Sequence, residues 1–405
     1  MDSSFRQDAY LELPARALEP GMFVAALDRP WDETPFALQG FVVQTRQDID
    51  TVCRYCTSVQ VDPRRRVALA PAAVGARNGR RRTDGDSGAT SLELLPAGFL
   101  QEASADLDSA DRAIRKVFGQ LERGGALEVD AVRGAVDGLV KRVLQDSQAI
   151  AALVRLRRHG QYLYDHSLCN AVWAAVLGKH LALGAEELGV LALGASLVDV
   201  GMTRLDMDPL AKPAALSAEE FAAVRRHVEL GVALVSEARV DPRVRDIVAD
   251  HHERFDGSGY PGGKQGHDIS LLARITGLVD SYDAMITPRP HAPSRTSFEA
   301  MQELWDGEAA RFQRELVEQF IQAVGLFPTG ALVELSSGEV GVVVAQSETR
   351  RLRPRVMVVL DPSKRRYRDL RVVDLNAPSS AQGDLWIRAE LQPGAHGVHP
   401  DEFFL

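Results

Sequence analysis

Residues 251–261 read His251-His252-Glu253-Arg254-Phe255-Asp256-Gly257-Ser258-Gly259-Tyr260-Pro261, and this stretch decides how the middle of the chain folds. A histidine doublet runs straight into Asp256-Gly257, then Gly259, Tyr260 and Pro261. Asp-Gly and X-Pro steps are turn chemistry, so a helix ending on the doublet gives way to a tight loop. Such a loop has a conformational cost and no packing rationale, which points to chemistry. Its glycines suit an exposed turn with the Tyr260 ring at the tip.

The sequence on both sides is helical. From about 98 to 325 apolar residues recur at threes and fours, and VDAVRGAVDGLVKRVLQDSQAIAALVRLRR (129–158) predicts one long amphipathic helix. Ser217 with Glu220 forms a capping box that starts a second helix over 218–238. Residues 11–70 are short apolar runs broken by Pro and Gly, which predicts a β-rich domain over 1–70. Residues 71–97 lack periodicity and read as a flexible linker with solvated arginines. After Pro328 the period falls to two, giving a small β unit over 326–405 with GAHGVHPDEFFL (394–405) as a tail. The fold class is therefore mostly α: a helical bundle over 98–325 between two small β elements.

Composition bounds the partners. The 405 residues are 45% apolar and 25% charged, which is ordinary for a globular chain, and the net charge of -9 argues against general nucleic-acid binding. There is no signal-peptide pattern and no run of about 18 uncharged apolar residues, so a cytoplasmic protein without a membrane span is expected. Three cysteines suit a reducing compartment, and the lone Cys53-x-x-Cys56 reads as two small hydrophobes.

Around the opening stretch stand further groups of one chemical kind. His166 lies in YLYDHSLCNAVWA, Asp199 in SLVDVG, His227 in RRHVELG, and Asp280 and Asp283 in RITGLVDSYDAM. Imidazole and carboxylate are the ligands of first-row metals such as iron, manganese or zinc, and a carboxylate bridges two of them.

In DHSLCNAV, KPAALSAEE, RRHVELG, HHERFDGSGYPGG and ARITGLVDSYDAMITPRP, in this order and at these spacings, the chain resembles the HD-GYP family of bacterial cyclic di-GMP phosphodiesterases over roughly 130–325. Residues 11–70, with LEPGMFVAALDRPWDETPFALQGF, look like the domain often found ahead of HD-GYP modules. The resemblance implies an HD-type bundle in which His166, Asp199 and Asp280 hold one divalent metal and His227, His251 and His252 another. Asp199 would be the bridging, catalytic carboxylate. It also implies Lys212 and Arg289 as cations for substrate phosphate, and Gly257, Gly259, Tyr260 and Pro261 as a loop that docks a cyclase-type or adaptor partner.

The chain departs from the family where the motif should be His-Asp-Ile-Gly-Lys, since it has Val198-Asp199-Val200-Gly201-Met202. Valine cannot ligate, and methionine supplies no ammonium to a phosphate, a loss of the kind that costs a few kcal/mol or about 10² to 10³ in rate. Tyr162 stands four residues before His166, where some members carry a glutamate for a third metal. The expectation is a degenerate HD-GYP protein that binds cyclic di-GMP or a related cyclic dinucleotide, or a protein partner, with about one metal, iron or manganese, per chain. The alternative is an active metal-dependent phosphodiesterase. The long helix before His166 offers a surface for a homodimer.

Overall fold

Short β-branched and aromatic runs between glycine and proline build the first sheet of the computed structural model, which describes residues 10–29, 41–43, 46–62, 97–157, 162–205, 216–289, 294–306, 311–347, 352–377 and 385–403. Strands β1 (Leu11–Pro14), β2 (Phe23–Leu27) and β3 (Phe41–Val42) precede helix α1 (Arg46–Tyr55) and strand β4 (Ser58–Asp62). The sheet order is β1-β4-β2-β3 and all pairs are antiparallel. Ile49 and Val52 of α1 join Val24, Val43, Val59 and Val61 in one apolar core. Cys56 is buried there and Cys53 is exposed, both as free thiols. Burial, with Asp28 beside it, pushes the Cys56 thiol up to about 11, so it behaves as a small hydrophobe. The linker read over 71–97 lies almost wholly outside the described residues.

Chain contacts divide the protein into two units, 1–89 with 347–351 and 90–346 with 352–405. The second unit holds α2 (Ala97–Glu122), α3 (Val129–Gln145), α4 (Ser147–Leu156), α5 (Tyr162–His180), α6 (Ala185–Ser196), α7 (Ala218–Arg225), α8 (His227–Glu237), α9 (Pro242–Asp250), α10 (Leu271–Ile286), α11 (Ser297–Asp306) and α12 (Arg314–Val324). Helix α5 is buried without a break from Asp165 to Gly178. A helix apolar on all sides can only sit at the centre, and α5 packs against α2, α3, α4, α6, α10 and α12.

Two expected helices are broken. The long helix over 129–158 divides at Asp146, whose extended backbone (φ -147°) stops α3 and whose carboxylate accepts from Gln148 and Ala149 N–H to start α4. Periodicity runs straight across this break because both helices bury the same kind of face. The Ser217–Glu220 capping box forms as expected, but its helix bends at Arg226 into α7 and α8.

Strands β5 (Leu332–Leu335), β6 (Val340–Ala345), β7 (Arg355–Leu360), β8 (Arg366–Asp374) and β9 (Ile387–Leu391) form an antiparallel sheet of order β8-β7-β6-β5-β9. The stretch expected to be a tail instead folds into 3-10 turns. Val398 is buried against Leu332, Val340, Val342 and Leu360, with Phe403 packed on the same cluster. Among the described residues, no helix is long and apolar enough to cross a membrane.

Candidate metal centre

Helix α5 carries His166 at its first turns, and α10, packed beside it, carries Asp280 and Asp283 one turn apart on the same face. Asp199 stands just before the 3-10 turn Val200–Arg204, and His227 opens α8. The turn and α8 touch backbone to backbone, because a Cβ on Gly201 would lie 1.9 Å from His227 O and 2.5 Å from Gly231 N. Only glycine allows this approach, and it brings Asp199 against His227. His251 and His252 follow the end of α9, before the loop.

Ligand atoms of His227, His251 and His252 lie within 4.8 Å of one another, as do those of His166, Asp199 and Asp280. Asp199 faces both groups: Oδ1 is 3.5 Å from His227 Nε2 and Oδ2 is 3.7 Å from His166 Nε2. Five of these six residues are buried, and His252 is half-buried.

The two groups differ in their protons. His227 Nδ1 lies 2.7 Å from Val224 O and His251 Nδ1 lies 2.9 Å from Val248 O. A carbonyl only accepts, so each Nδ1 carries a proton, and in the neutral rings each Nε2 is a lone pair. These two Nε2 atoms face each other at 3.4 Å. Burial, against the pull of Asp280, takes His251 down to about 4, and burial with His251 alongside takes His252 well below its ordinary value. Converging imidazoles, two of them with Nδ1–H groups tied to carbonyls, are the donor set of a borderline divalent ion. The three histidines fit such a metal.

The other group satisfies itself internally. His166 Nε2 is 2.9 Å from Asp280 Oδ1, and its Nδ1 is 2.7 Å from Asp283 Oδ2. Burial opposes charge on this ring, but Tyr162 beside it and the hydrogen bonds to Asp280 and Asp283 hold it well above its ordinary range. Burial likewise opposes ionisation of Asp280, and the bond to His166 reverses this and holds its carboxyl below the carboxylate range. Trp173 Nε1 and Thr287 Oγ1 donate to Asp283, and Asn170 Nδ2 donates to Asp280. Sequence reasoning missed these supports. Their signal was the helical spacing of Asn170 and Trp173 from His166, and of Thr287 from Asp283. Val198, in the place of the motif histidine, is fully buried and adds no ligand atom.

The loop after His252 is moored from inside. Glu253 is buried and accepts from Gly262 N at 2.6 Å and Lys264 N at 3.0 Å, while Lys264 Nζ pairs with Asp250 at 2.7 Å. Gly259 presses on the end of the doublet, since a Cβ there would meet His252 O at 2.5 Å and Arg254 N at 2.3 Å. Gly257 turns the chain with φ 83°, and the Tyr260–Pro261 bond is cis. The Tyr260 ring differs from expectation: it is half-buried and stacks on His252 at 4.6 Å with the planes 26° apart. It packs inward because the loop is tied down by Glu253, while Asp256, Ser258 and Pro261 to Gln265 are exposed.

Tyr162 stacks on His166 in a similar way, at 5.0 Å and 17°, and the Arg289 Cζ lies 5.6 Å from the Tyr162 ring centre. Arg289 Nη2 donates to Ala284 O, its Nε–H is buried without an acceptor among the described residues, and it lines a cavity of about 770 Å³ with Met285, Arg295 and Glu299. Lys212 lies outside the described residues.

Three family descriptions match the chain: an HD domain over 139–316, a domain of unknown function over 10–132, and a KOW domain associated with HD domains over 332–382. A cyclic di-GMP phosphodiesterase of Pseudomonas aeruginosa is 30% identical over 90% of this chain and 88% of its own length. A 3'3'-cGAMP-specific phosphodiesterase of Vibrio cholerae is 33% identical over 38% of this chain and 30% of its own. An HDG"Y"P protein of Bdellovibrio bacteriovorus aligns with 77% of this chain and 98% of its own at a TM-score of 0.48 and 14% identity. The relative matched over most of both chains, together with the HD domain across the helices that carry these histidines and aspartates, shows that the chain belongs to the HD-GYP family.

Proposed function

We propose that this protein binds a cyclic dinucleotide, cyclic di-GMP first, over a site that holds one metal, and that it hydrolyses the ligand weakly or not at all. The observation that carries the reading is Val198, buried and aliphatic beside Asp199, which leaves the His166 group one donor short while the three-histidine group keeps its full set. His227, His251, His252 and Asp199 would hold a first-row divalent ion, iron or manganese by the family resemblance. A metal in such a site supplies Lewis acidity and an activated water.

The chain's own residues then divide the work. Val224 and Val248 carbonyls fix the tautomers that present Nε2. Asp283 orients His166, and Tyr260 holds the His252 ring in place. Arg289 and Lys212 offer charge to a ligand phosphate, whereas Met202 offers none. The exposed end of the loop at Pro261 is the surface for an adaptor or cyclase-domain partner, and the face of α3 and α4 is the surface for pairing of two copies.

The second reading, an active phosphodiesterase, is favoured by the intact three-histidine group and by the activity named for the Pseudomonas relative. The test is one sample of purified full chain, assayed for metal content, cyclic di-GMP binding and cyclic di-GMP hydrolysis with added manganese or iron. Binding with little turnover supports the first reading, robust turnover supports the second, and absence of both removes the cyclic dinucleotide from either.

A further inference from the structure

Arg225 ends α7, two residues before His227, and the bend at Arg226 sends the two side chains apart. His227 is fully buried, while Arg225 is exposed. The Arg225 Cζ lies 4.4 Å from the centre of the Tyr260 ring and 4.8 Å from that of the exposed Phe221 ring. Tyr260 in turn stacks on His252. The guanidinium is thus the third layer of a pile whose base is one of the three clustered histidines.

No ion pair or hydrogen bond of Arg225 is found among the described residues. Glu229, the acid nearest in sequence, makes no ion pair with it among the described residues, and of the next nearest Glu220 receives the Ser217 N–H of the capping box and Glu219 the Ser217 hydroxyl. Aromatic packing of this kind uses the apolar plane of a guanidinium and leaves its N–H edge to donate, the geometry that matches a phosphate through two parallel bonds.

We propose that Arg225, held over Tyr260, grips a phosphate of the bound cyclic dinucleotide on the three-histidine side of the site. This rests on the ligand class proposed above and adds a contact supplied by α7. It places a cation beside the three-histidine group.

The competing role is that of a strut: Arg225 would only keep Tyr260 on His252. The experiment compares wild type, Arg225→Lys and Arg225→Gln as full-length, manganese-loaded protein, measuring cyclic di-GMP affinity at low and high salt, metal content and thermal midpoint. Arg225→Gln is expected to weaken cyclic di-GMP binding about tenfold or more, the loss of one charge-assisted contact, and to flatten its salt dependence. Arg225→Lys should fall between the two, keeping the charge and losing the fork. Metal content and midpoint should not move. If wild type binds and Arg225→Gln binds as tightly, the phosphate contact is wrong and the ligand class stands. If Arg225→Gln loses metal or stability along with affinity, Arg225 is a strut. If wild type binds no cyclic di-GMP, the functional reading fails and takes this contact with it.

Discussion

The Nε2 atoms of His227 and His251 face one another at 3.4 Å while both Nδ1 atoms are committed to backbone carbonyls. In the neutral rings this sets lone pair against lone pair in a buried space, an arrangement that a bound cation relieves. One tightly held metal per chain is therefore expected by elemental analysis. At a free concentration a thousandfold above its dissociation constant, that metal stabilises the fold by about 4 kcal/mol. His227→Ala or His252→Ala should empty the site and lower the thermal midpoint, with His166→Ala mattering less. Two tightly bound metals in the wild type would overturn this reading.

Tyr260 links the loop to the cluster by resting on His252, so its ring belongs to the site as well as the surface. Stacked aromatic pairs contribute about 0.5–1.5 kcal/mol beyond the area they bury. Tyr260→Ala is expected to lower the midpoint modestly and weaken metal binding, while Tyr260→Phe retains both. A metal titration with a melting curve checks this. Unchanged metal affinity in Tyr260→Ala would mean that the stack does not hold His252.

The residues of the two groups were legible because their types are unusual where they stand: four histidines and two aspartates in or beside apolar helices have no packing reason to be there. The two groups they form, and Asp199 between them, follow the grouping that the family resemblance implied. The stacks were not legible, because Arg225 reaches Tyr260, and Arg289 reaches Tyr162, across long stretches of chain that pattern alone does not bring together. The break at Asp146 escaped for a different reason. Its neighbours keep the helical period, and a single capping carboxylate outweighs that period locally. Val398 was lost in a stretch of glycines and histidines that reads as a tail, although one buried apolar residue is enough to dock it.

Acid should weaken the metal-free protein in a defined window. Folded His251 titrates at about 4 against 6.5 for a free imidazole. Between these values the unfolded chain binds a proton that the folded ring refuses, so stability is lost as pH falls from about 6.5 towards 4. One such group gives a slope of at most about 1.4 kcal/mol per pH unit. His252, also lowered, acts in the same direction. His166 is raised, so its contribution is complete below pH 6.5 and is lost only at higher pH. The midpoint of chelated protein should fall across that window, and His251→Gln should flatten the fall. A midpoint independent of pH there would refute the assignment of neutral, buried rings.

Repair tests the functional reading most directly, because a site that has lost groups and kept its scaffold should regain activity when they return. Val198→His restores a donor next to Asp199, and Met202→Lys restores an ammonium at the family's phosphate-contacting position. Val198 is fully buried and Met202 half-buried, so the histidine must fit into packed space, and some loss of midpoint is expected from it alone. Both groups serve one transition state, so their effects should be strongly non-additive. Wild type is expected to hydrolyse cyclic di-GMP barely or not at all, each single variant to add little, and the double variant to turn it over measurably with manganese or iron while its metal content rises from one towards two. Metal content separates a failed repair from a wrong premise: a double variant that takes up the second metal and still does not turn over shows that Val198 and Met202 are not what silences the site. Robust wild-type turnover left unchanged by Val198→His would show that residue 198 never limited catalysis, and the protein would then be a working phosphodiesterase built on its three histidines.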